Sequence, residues 1–296
     1  MKKRAFAFIV LAGVLWGTSG IFVNLLKPYG FTSMQLTAVR GLVSFLCVAA
    51  FALIRARRLF VFRLRDLWLL VLVGIAQFGT AFCYYMSMVS TSIATAVVLM
   101  YTAPIYVTVF SVLFLGERFS KLKGVSIGLM LVGCALVSGI VGGLKFDPVG
   151  ILFGVLAGLS YGAYSICSKV AVRRGIQPLQ CSLYSFLMIT LISAPLCDVS
   201  GLVASVGKEP LPTLPLLLGI GIVTFVLPYV LYTFSLRDLP AGTASALSIV
   251  EPMAATLFGI VFFDEKLSLL PTLGMVLILL AVFLLSRVES GKDASN

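Results

Sequence analysis

The residues of this chain that could bind or carry a small solute are few, and nearly all lie inside long apolar runs. Glu251 is followed directly by Pro252 in the run 242–263. An ionisable side chain in mid-span costs at least ~2.5–3.5 kcal/mol on insertion scales, so it usually marks a solute pathway or a buried pair. Such a carboxylate could bind the cation of a substrate amine or carry a proton for antiport. The alternative is a structural hydrogen bond that locks the helix to a neighbour.

Two of the prolines inside apolar runs, Pro104 and Pro252, bear on the candidate site. Pro252 has no N–H and clashes with the preceding turn, so it should release the carbonyl of Ser248, and Pro104 should do the same to Met100. A released carbonyl can bind substrate or water, or simply accompany a kink. Small residues occupy the helical face that carries Glu251, which is how membrane helices approach closely: Ala244, Ser248, Ala255 and Gly259. Glu251 is therefore expected to point into a bundle or cavity.

Other polar-tipped side chains complete the set of candidate substrate-binding or coupling residues. Trp16, Tyr101 and Tyr161 lie too deep for the interfacial belt of membrane aromatics, so they predict a cavity wall, with core packing as the alternative. Arg40, inside the second run, either snorkels outward or pairs with an acid or an anionic substrate group. The remaining candidates lie within or beside predicted spans: Asn24, Tyr84, Ser165, Tyr232 and Ser248.

These residues belong to an integral membrane protein. The 296-residue chain is 60% hydrophobic and 11% charged, whereas soluble domains are about 45–50% apolar and about 25% charged. The net charge of +11 comes from short Lys and Arg clusters between apolar runs, a pattern typical of cytoplasmic loops and not of nucleic-acid binding. The six cysteines form no CxxC pair, which favours buried thiols over disulfides or a metal site.

Ten apolar runs are long enough to cross a bilayer, which needs roughly 20 residues per helix. The first begins like a signal peptide but continues without a clear cleavage site, so it is interpreted as an uncleaved helix. Lys and Arg concentrate on the side of both termini and only Lys27, Lys145, Lys208 and Lys266 fall opposite, which predicts cytoplasmic termini. The predicted spans are 5–26, 34–54, 67–87, 92–115, 123–141, 149–169, 179–198, 214–236, 242–263 and 270–286.

The two halves of the chain are related by an internal repeat. Shifted by 148 residues, APIYVTVFSVLFLGE (103–117) aligns with EPMAATLFGIVFFDE (251–265), so the two prolines coincide. The terminal Glu117 and Glu265 also coincide, and each is expected to cap a neighbouring helix or pair with a loop cation. With a shift of 145, Trp16-Gly17 aligns with Tyr161-Gly162, and Asn24 aligns with Lys169.

Each half holds five predicted spans, an odd number, so the second half should enter the membrane inverted. Inverted repeats are typical of secondary transporters, whose substrate sites lie near the bilayer midplane where the repeats meet. We therefore predict an all-α integral membrane protein of ten transmembrane helices in two inverted five-helix repeats, 1–143 and 144–288, followed by a short polar cytoplasmic tail, 289–296.

The order and spacing of these elements resemble the EamA family of the drug/metabolite transporter superfamily. The resemblance covers about 5–286 and rests on LWGTSGIFVN (15–24), TAVRGLVSFL (37–46), YTAPIYVTVFSVLFLGERFSKLKGVSIGLMLVGCALV (101–137), SYGAYSICSK (160–169) and VEPMAATLFGIVFFDEKLS (250–268). Asp264 departs from the pattern, since the first half has Gly116 there. The resemblance implies a ten-helix carrier of small metabolites in a bacterial-type inner (plasma) membrane, often an exporter of amino acids or related compounds.

Other function classes fit the sequence less well. The chain has no histidine, which removes His-based acid–base catalysis and His metal sites, and it has no Walker motif. A channel would line its pore with rings of polar groups, which the sparse polar content disfavours. We predict a non-enzymatic secondary transporter with a small-molecule substrate and the bilayer as partners, and without cofactor, metal, nucleic acid or obligate protein partner. Proton coupling stays open, and an intramembrane enzyme or a channel is the alternative.

Overall fold

Every regular element in the described part of the chain is helical. The computed structural model describes residues 2–138, 147–263 and 268–291, and these ranges contain fifteen α-helices and no β-strand. Within them, nine continuous helical stretches are long and apolar enough to cross a membrane. The chain is a multi-pass membrane protein, and nine of the predicted spans correspond to these stretches.

The first half contains seven helices, and only Thr18 separates the first two, which together form one membrane-spanning stretch. Thr32 starts the third helix with a capping box, because its hydroxyl accepts from the Gln35 N–H at 3.2 Å and its own N–H donates to Gln35 Oε1 at 2.9 Å. The helices are α1 (Lys2–Gly17), α2 (Ser19–Leu26), α3 (Ser33–Arg55), α4 (Leu64–Ser90), α5 (Ile93–Met100), α6 (Ala103–Leu115) and α7 (Lys121–Val137). The predicted fifth span, 123–141, starts on α7 and runs beyond the described residues.

The second half contains eight helices, one more than the first. Its helices are α8 (Pro148–Arg173), α9 (Pro178–Ser193), α10 (Val199–Lys208), α11 (Pro210–Gly221), α12 (Leu227–Ser235), α13 (Ala241–Leu247), α14 (Val250–Phe263) and α15 (Leu269–Gly291). Helix α10 lies where only a connecting loop was expected. Asp198 caps it by accepting from the Gly201 N–H at 3.0 Å, and its apolar Leu202 and Val206 pack on a core cluster near the end of α2.

The two spans that contain the matched prolines Pro104 and Pro252 are broken helices, as predicted. Helix α5 ends at Met100 and α6 begins at Ala103, while α13 ends at Leu247 and α14 begins at Val250. The Ser248 carbonyl, however, is not left without a partner, because it accepts from the Glu251 N–H at 3.0 Å. The second break therefore places Glu251 in the first turn of α14.

The main packing contacts join helices from different halves. Helix α4 packs on α8, α3 on α9, α1 on α12 and α14, and α7 on α15. In the last pair the backbones nearly touch, since a Cβ atom added to Gly133 would lie 2.7 Å from the Gly274 carbonyl oxygen. Small residues that permit such an approach are the usual means of tight packing between membrane helices.

The contact between α7 and α15 should not tolerate an added methyl group. Gly133→Ala is expected to destabilise the protein by about 1–3 kcal/mol because the new Cβ clashes with backbone, which should lower the thermal midpoint in detergent. Gly128 is the matched control in the same helix, since a Cβ atom there meets nothing within 4 Å. Gly128→Ala should leave the midpoint unchanged or raise it. Equal midpoints for the two variants would contradict this packing.

Candidate functional site

A cavity of about 540 Å³ lies between the two halves, next to both helix breaks. Its deep part is lined by residues from five of the spans: Trp16, Arg40, Tyr101, Tyr161 and Glu251. Its other part is lined by residues near helix ends that face the predicted outer side: Val23, Ser33, Met88, Ile93 and Ser138. No described residue from the opposite helix ends lines it. The cavity therefore extends from the middle of the bundle to the predicted outer face.

The two helix breaks meet through one short hydrogen bond. Tyr101, between α5 and α6, donates its hydroxyl to Oε2 of Glu251 at 2.5 Å. Glu251 lies in the first turn of α14, where the helix N-terminus favours negative charge. Each half of the chain supplies one partner, so the bond links the halves at the deep end of the cavity.

An aromatic cluster forms the floor of the cavity. Trp16 packs edge-on against Tyr229, with ring centroids 5.1 Å apart, and also contacts Tyr232 at 5.8 Å. Tyr164 contacts Tyr232 at 5.8 Å and stacks on Tyr161 at 6.4 Å. These separations are those of favourable aromatic pairs. The floor is apolar in bulk, but it carries phenol groups that can donate hydrogen bonds.

Hydrogen bonds connect two tyrosines of the floor with serines of α8 and of the break between α13 and α14. Tyr232 donates to Ser165 Oγ at 2.7 Å, and Ser165 donates to the Tyr161 carbonyl at 2.9 Å. Tyr161 in turn donates to Ser248 Oγ at 2.8 Å, and Ser248 donates to the Ser245 carbonyl at 2.6 Å. The hydroxyl groups of Tyr161, Ser165, Tyr232 and Ser248 are thus all hydrogen-bonded, as burial favours.

The structure brings together most of the residues singled out from the sequence. The cavity is lined by Trp16, Arg40, Tyr84, Tyr101, Tyr161, Glu251 and Pro252. Three others are buried behind its wall and do not line it: Ser165, Tyr232 and Ser248. Pro104 is buried in the first turn of α6, and Asn24 is exposed on α2 and is not a lining residue.

Arg40 is held inside the bundle. It lines the cavity, and its Nε atom is buried without a hydrogen-bond partner among the described residues. The Arg40 guanidinium and the Glu251 carboxylate line the same cavity, but they form no direct ion pair in the described ranges. A direct pair with an acid is thus not found in the described ranges, and pairing with an anionic substrate group stays a prediction.

One side of the cavity was not anticipated from the sequence. Between α11 and α12, residues Ile222–Val226 form a π-helical turn, a feature that is frequent at functional sites. The turn presents Thr224 and Phe225 to the cavity, and Tyr229 follows one turn later. Pro228 could have indicated an irregular turn here, because it lacks the N–H that would bind the Thr224 carbonyl.

Polar contacts close the bundle below the aromatic floor, at the predicted cytoplasmic ends. Lys169 on α8 donates to the carbonyls of Leu236 and Leu239 at 2.5 and 2.7 Å. Arg173, one turn further along α8, donates to the Leu115 carbonyl at 2.8 Å. Both cations bind carbonyls at or just beyond helix C-termini, where positive charge is favoured. We call these contacts the inner seal.

Glu117 completes the inner seal by capping a helix of the other half. Its Oε1 accepts from the Ala241 N–H at 2.9 Å, at the start of α13, and its Oε2 lies 3.9 Å from Lys123 Nζ. The predicted capping role of Glu117 is confirmed, whereas Glu265 lies outside the described residues. In the described ranges, no group of three or more His, Cys, Asp or Glu side chains could hold a metal ion.

Removing the Glu117 carboxylate should weaken the inner seal. Glu117→Ala leaves a buried backbone N–H unpaired, which costs about 1–3 kcal/mol, so we expect a lower thermal midpoint in detergent. Glu117→Gln retains an acceptor oxygen and should recover part of the loss. The control is Glu209→Ala, because Glu209 is an exposed residue preceding α11 that makes no side-chain cap. A Glu117→Ala midpoint equal to that of the control would exclude the capping role.

Comparisons with known proteins agree with this architecture. The model of the EamA-like transporter family matches residues 3–139 and 148–287. An uncharacterized transporter of Archaeoglobus fulgidus is 32% identical over 95% of this chain and 96% of its own, and the uncharacterized transporter YwfM of Bacillus subtilis is 29% identical over 97% and 95%. The threonine/homoserine exporter RhtA of Escherichia coli K12 is 27% identical over 72% of this chain and 68% of its own.

A solved crystal structure has the same fold. It superposes with a TM-score of 0.80 on 98% of this chain and 99% of its own, at 19% identity. Together with the family match along almost the whole chain, this confirms the resemblance drawn from the repeated motifs. The chain belongs to the EamA-like transporter family.

Proposed function

We propose that the protein is a secondary transporter that exports small metabolites, amino acids or related compounds, by alternating access between two inverted five-helix repeats. The Escherichia coli relative named as a threonine/homoserine exporter supports this substrate class and direction. The positively charged loops support cytoplasmic termini in an inner (plasma) membrane. The cavity at the junction of the halves is where such carriers bind their substrates.

The pattern of helix packing supports the inverted repeat. The repeat pairs the helices of the two halves as follows: α1 and α2 with α8, α3 with α9, α4 with α11 and α12, α5 with α13, α6 with α14, and α7 with α15. A two-fold relation then requires each contact between helices to have a counterpart. The contact of α4 with α8 corresponds to that of α12 with α1, and the contact of α1 with α14 corresponds to that of α8 with α6. The pairs α3 with α9 and α7 with α15 each map onto themselves.

One departure from this two-fold relation carries the proposal. At the predicted inner side α6 packs directly on α13. Their counterparts at the outer side, α14 and α5, both line the cavity, through Glu251, Pro252, Ala255 and Thr256 and through Ile93, Val97 and Met100. The same pair of elements is thus closed on one side and open on the other, which is what one end state of an alternating-access carrier requires. A continuous channel would lack the inner seal.

Glu251 is the residue on which we place coupling or substrate binding. It lies at the deep end of the cavity, and its position in the first half is occupied by Ala103. A group needed only to join the two breaks could be present in both halves, whereas a group that binds a solute or a proton is needed once. Its bond to Tyr101 holds the carboxylate at the junction through which a solute must pass.

Reconstituted protein should move a small metabolite down a gradient, and Glu251→Gln should slow that flux at least about tenfold, since it removes the only acid that lines the cavity among the described residues. The measurement is uptake or exchange in liposomes of amino acids, nucleosides and cationic drugs at several pH values.

Glu209→Gln, an exposed acid-to-amide change, is the control and should transport like the parent chain. Normal transport by a folded Glu251→Gln at every pH would remove Glu251 from the mechanism. No flux of any compound in the panel would count against a carrier altogether.

The repeat correspondence also identifies the residues that should close the outer side. Lys169 of the inner seal aligns with Asn24, and its acceptors Leu236 and Leu239 align with Met88 and Thr91. Asn24 is exposed, while Val23 beside it and Met88 line the open part of the cavity. In the inward-facing state Asn24 should therefore approach the end of α4, as Lys169 approaches the end of α12.

Two substitutions should reduce access to the cavity from outside. Lys169→Met weakens the inner seal, and Asn24→Lys adds to the outer side the residue found at its counterpart, so both should shift the population toward the inward-facing state. The measurement is labelling of Thr256→Cys, on a background without the native cysteines, by a membrane-impermeant maleimide. We expect labelling to slow several-fold, since a shift of ~1.4 kcal/mol changes populations about tenfold.

Lys208→Met is the matched control, because Lys208 is exposed at the end of α10 and belongs to neither seal. Its labelling rate should equal that of the parent chain. Unchanged labelling in both Lys169→Met and Asn24→Lys would show that these positions do not take part in closure.

A further inference from the structure

Arg40 is a cation inside the bundle to which the structure gives no bonded protein partner in the described ranges. It belongs to α3, its Nε is buried, and it makes no hydrogen bond or ion pair with the described residues. Buried charge without a partner is costly, and charged residues within membrane spans are almost always paired or face a pathway. Because Arg40 lines the cavity, the partner it lacks can enter from the cavity.

Glu251 faces the same cavity with the opposite charge, and only one of its two carboxylate oxygens is hydrogen-bonded within the described residues. Its Oε2 accepts from Tyr101, and no hydrogen bond to Oε1 is found among the described residues. Arg40 and Glu251 form no direct ion pair in the described ranges. A space with a guanidinium on one side and a carboxylate on the other is complementary to a solute that carries both charges.

The chemistry of the two groups determines which end of such a solute each would bind. A guanidinium presents a planar fork of donors that matches a carboxylate, and two parallel hydrogen bonds can form. An ammonium group carries three donors and no acceptor, so it requires acceptors such as a carboxylate oxygen, and it is also attracted to aromatic faces. Trp16 and Tyr229 line the cavity close to the deep end and are available for the rest of the solute.

We propose that Arg40 binds the carboxylate, and Glu251 with Tyr101 the ammonium group, of a zwitterionic α-amino acid. This inference rests on the proposed function and adds the assignment of each charged end of the substrate to one half of the protein: Arg40 to the first, Glu251 to the second. Both charges of the solute are then required, because a solute that lacks one leaves a protein charge unpaired in the cavity. Sites of this kind reject the incomplete analogue strongly, by up to about 10⁴-fold.

Binding can be followed without transport, because the chain has two tryptophans and only one of them lines the cavity. Trp68 is 53% exposed on α4, so Trp68→Phe leaves Trp16 as a single fluorescent reporter at the site. The probes are L-threonine, L-threoninamide, which lacks the carboxylate, and N-acetyl-L-threonine, which lacks the ammonium group. The chain carrying Trp68→Phe should bind threonine at least about tenfold more tightly than either analogue.

The variants should lose discrimination one end at a time. Arg40→Met should reduce the preference for threonine over threoninamide to below about threefold while keeping the preference over N-acetylthreonine, and Glu251→Gln should do the reverse. Arg40→Lys keeps the charge without the fork and should retain part of the discrimination. A purely structural role for Arg40 would change affinity for all three compounds together, so the crossed pattern separates recognition from folding.

The assignment would be overturned by equal binding of threonine and threoninamide to the parent chain, or by unchanged discrimination in folded Arg40→Met. If none of the three compounds binds while another solute is transported in liposomes, the zwitterion site is wrong and the transporter proposal stands. If threonine binds with the crossed pattern and no solute is carried, the binding site stands and the transporter proposal is wrong.

Discussion

In hydrocarbon there is no water to bind an exposed peptide group, so a membrane helix can be interrupted only where protein or an aqueous cavity supplies partners. The breaks after Met100 and Leu247 meet this requirement by lying side by side in the middle of the bundle. The hydrogen bond between Tyr101 and Glu251 joins them. The cavity, the aromatic floor and the position of the acid all follow from where these two interruptions had to be placed.

Two tight helix contacts join the halves near the breaks, and only one of them borders the cavity. Helix α15 contributes no lining residue to the cavity, and its backbone contacts α7 at Gly133 and Gly274. By contrast, α1 and α14 meet at Gly17, where an added Cβ would lie 2.8 Å from that of Ala254, and both continue along the cavity wall. Small residues permit this close approach as well, so a tight contact between the two halves lies directly beside the cavity.

Much of the fold follows from apolar run length and from the prolines, because both act locally. The matching of Pro104 with Pro252 predicted two broken helices, and Glu117 was predicted as a cap from its place at a helix end; both are found. The π-helical turn before Pro228 was missed although that proline lies next to it in the sequence. Helix α10 was missed because its apolar residues pack on a cluster that is distant in the sequence. The sequence also could not distinguish Trp16, which lines the cavity, from Tyr232, which lies behind its wall, because both are deep aromatic residues.

The placement of Arg40 and Glu251 in one cavity has an electrical consequence. When both side chains are ionised, as the proposed zwitterion site requires, their formal charges cancel. Moving one elementary charge through the membrane potential is worth about 2.3 kcal/mol per 100 mV. A cavity with no net charge, empty or filled by a zwitterion, is spared that work. In that charge state the membrane potential would do no net work on the cavity as it changes sides, with or without a bound zwitterion.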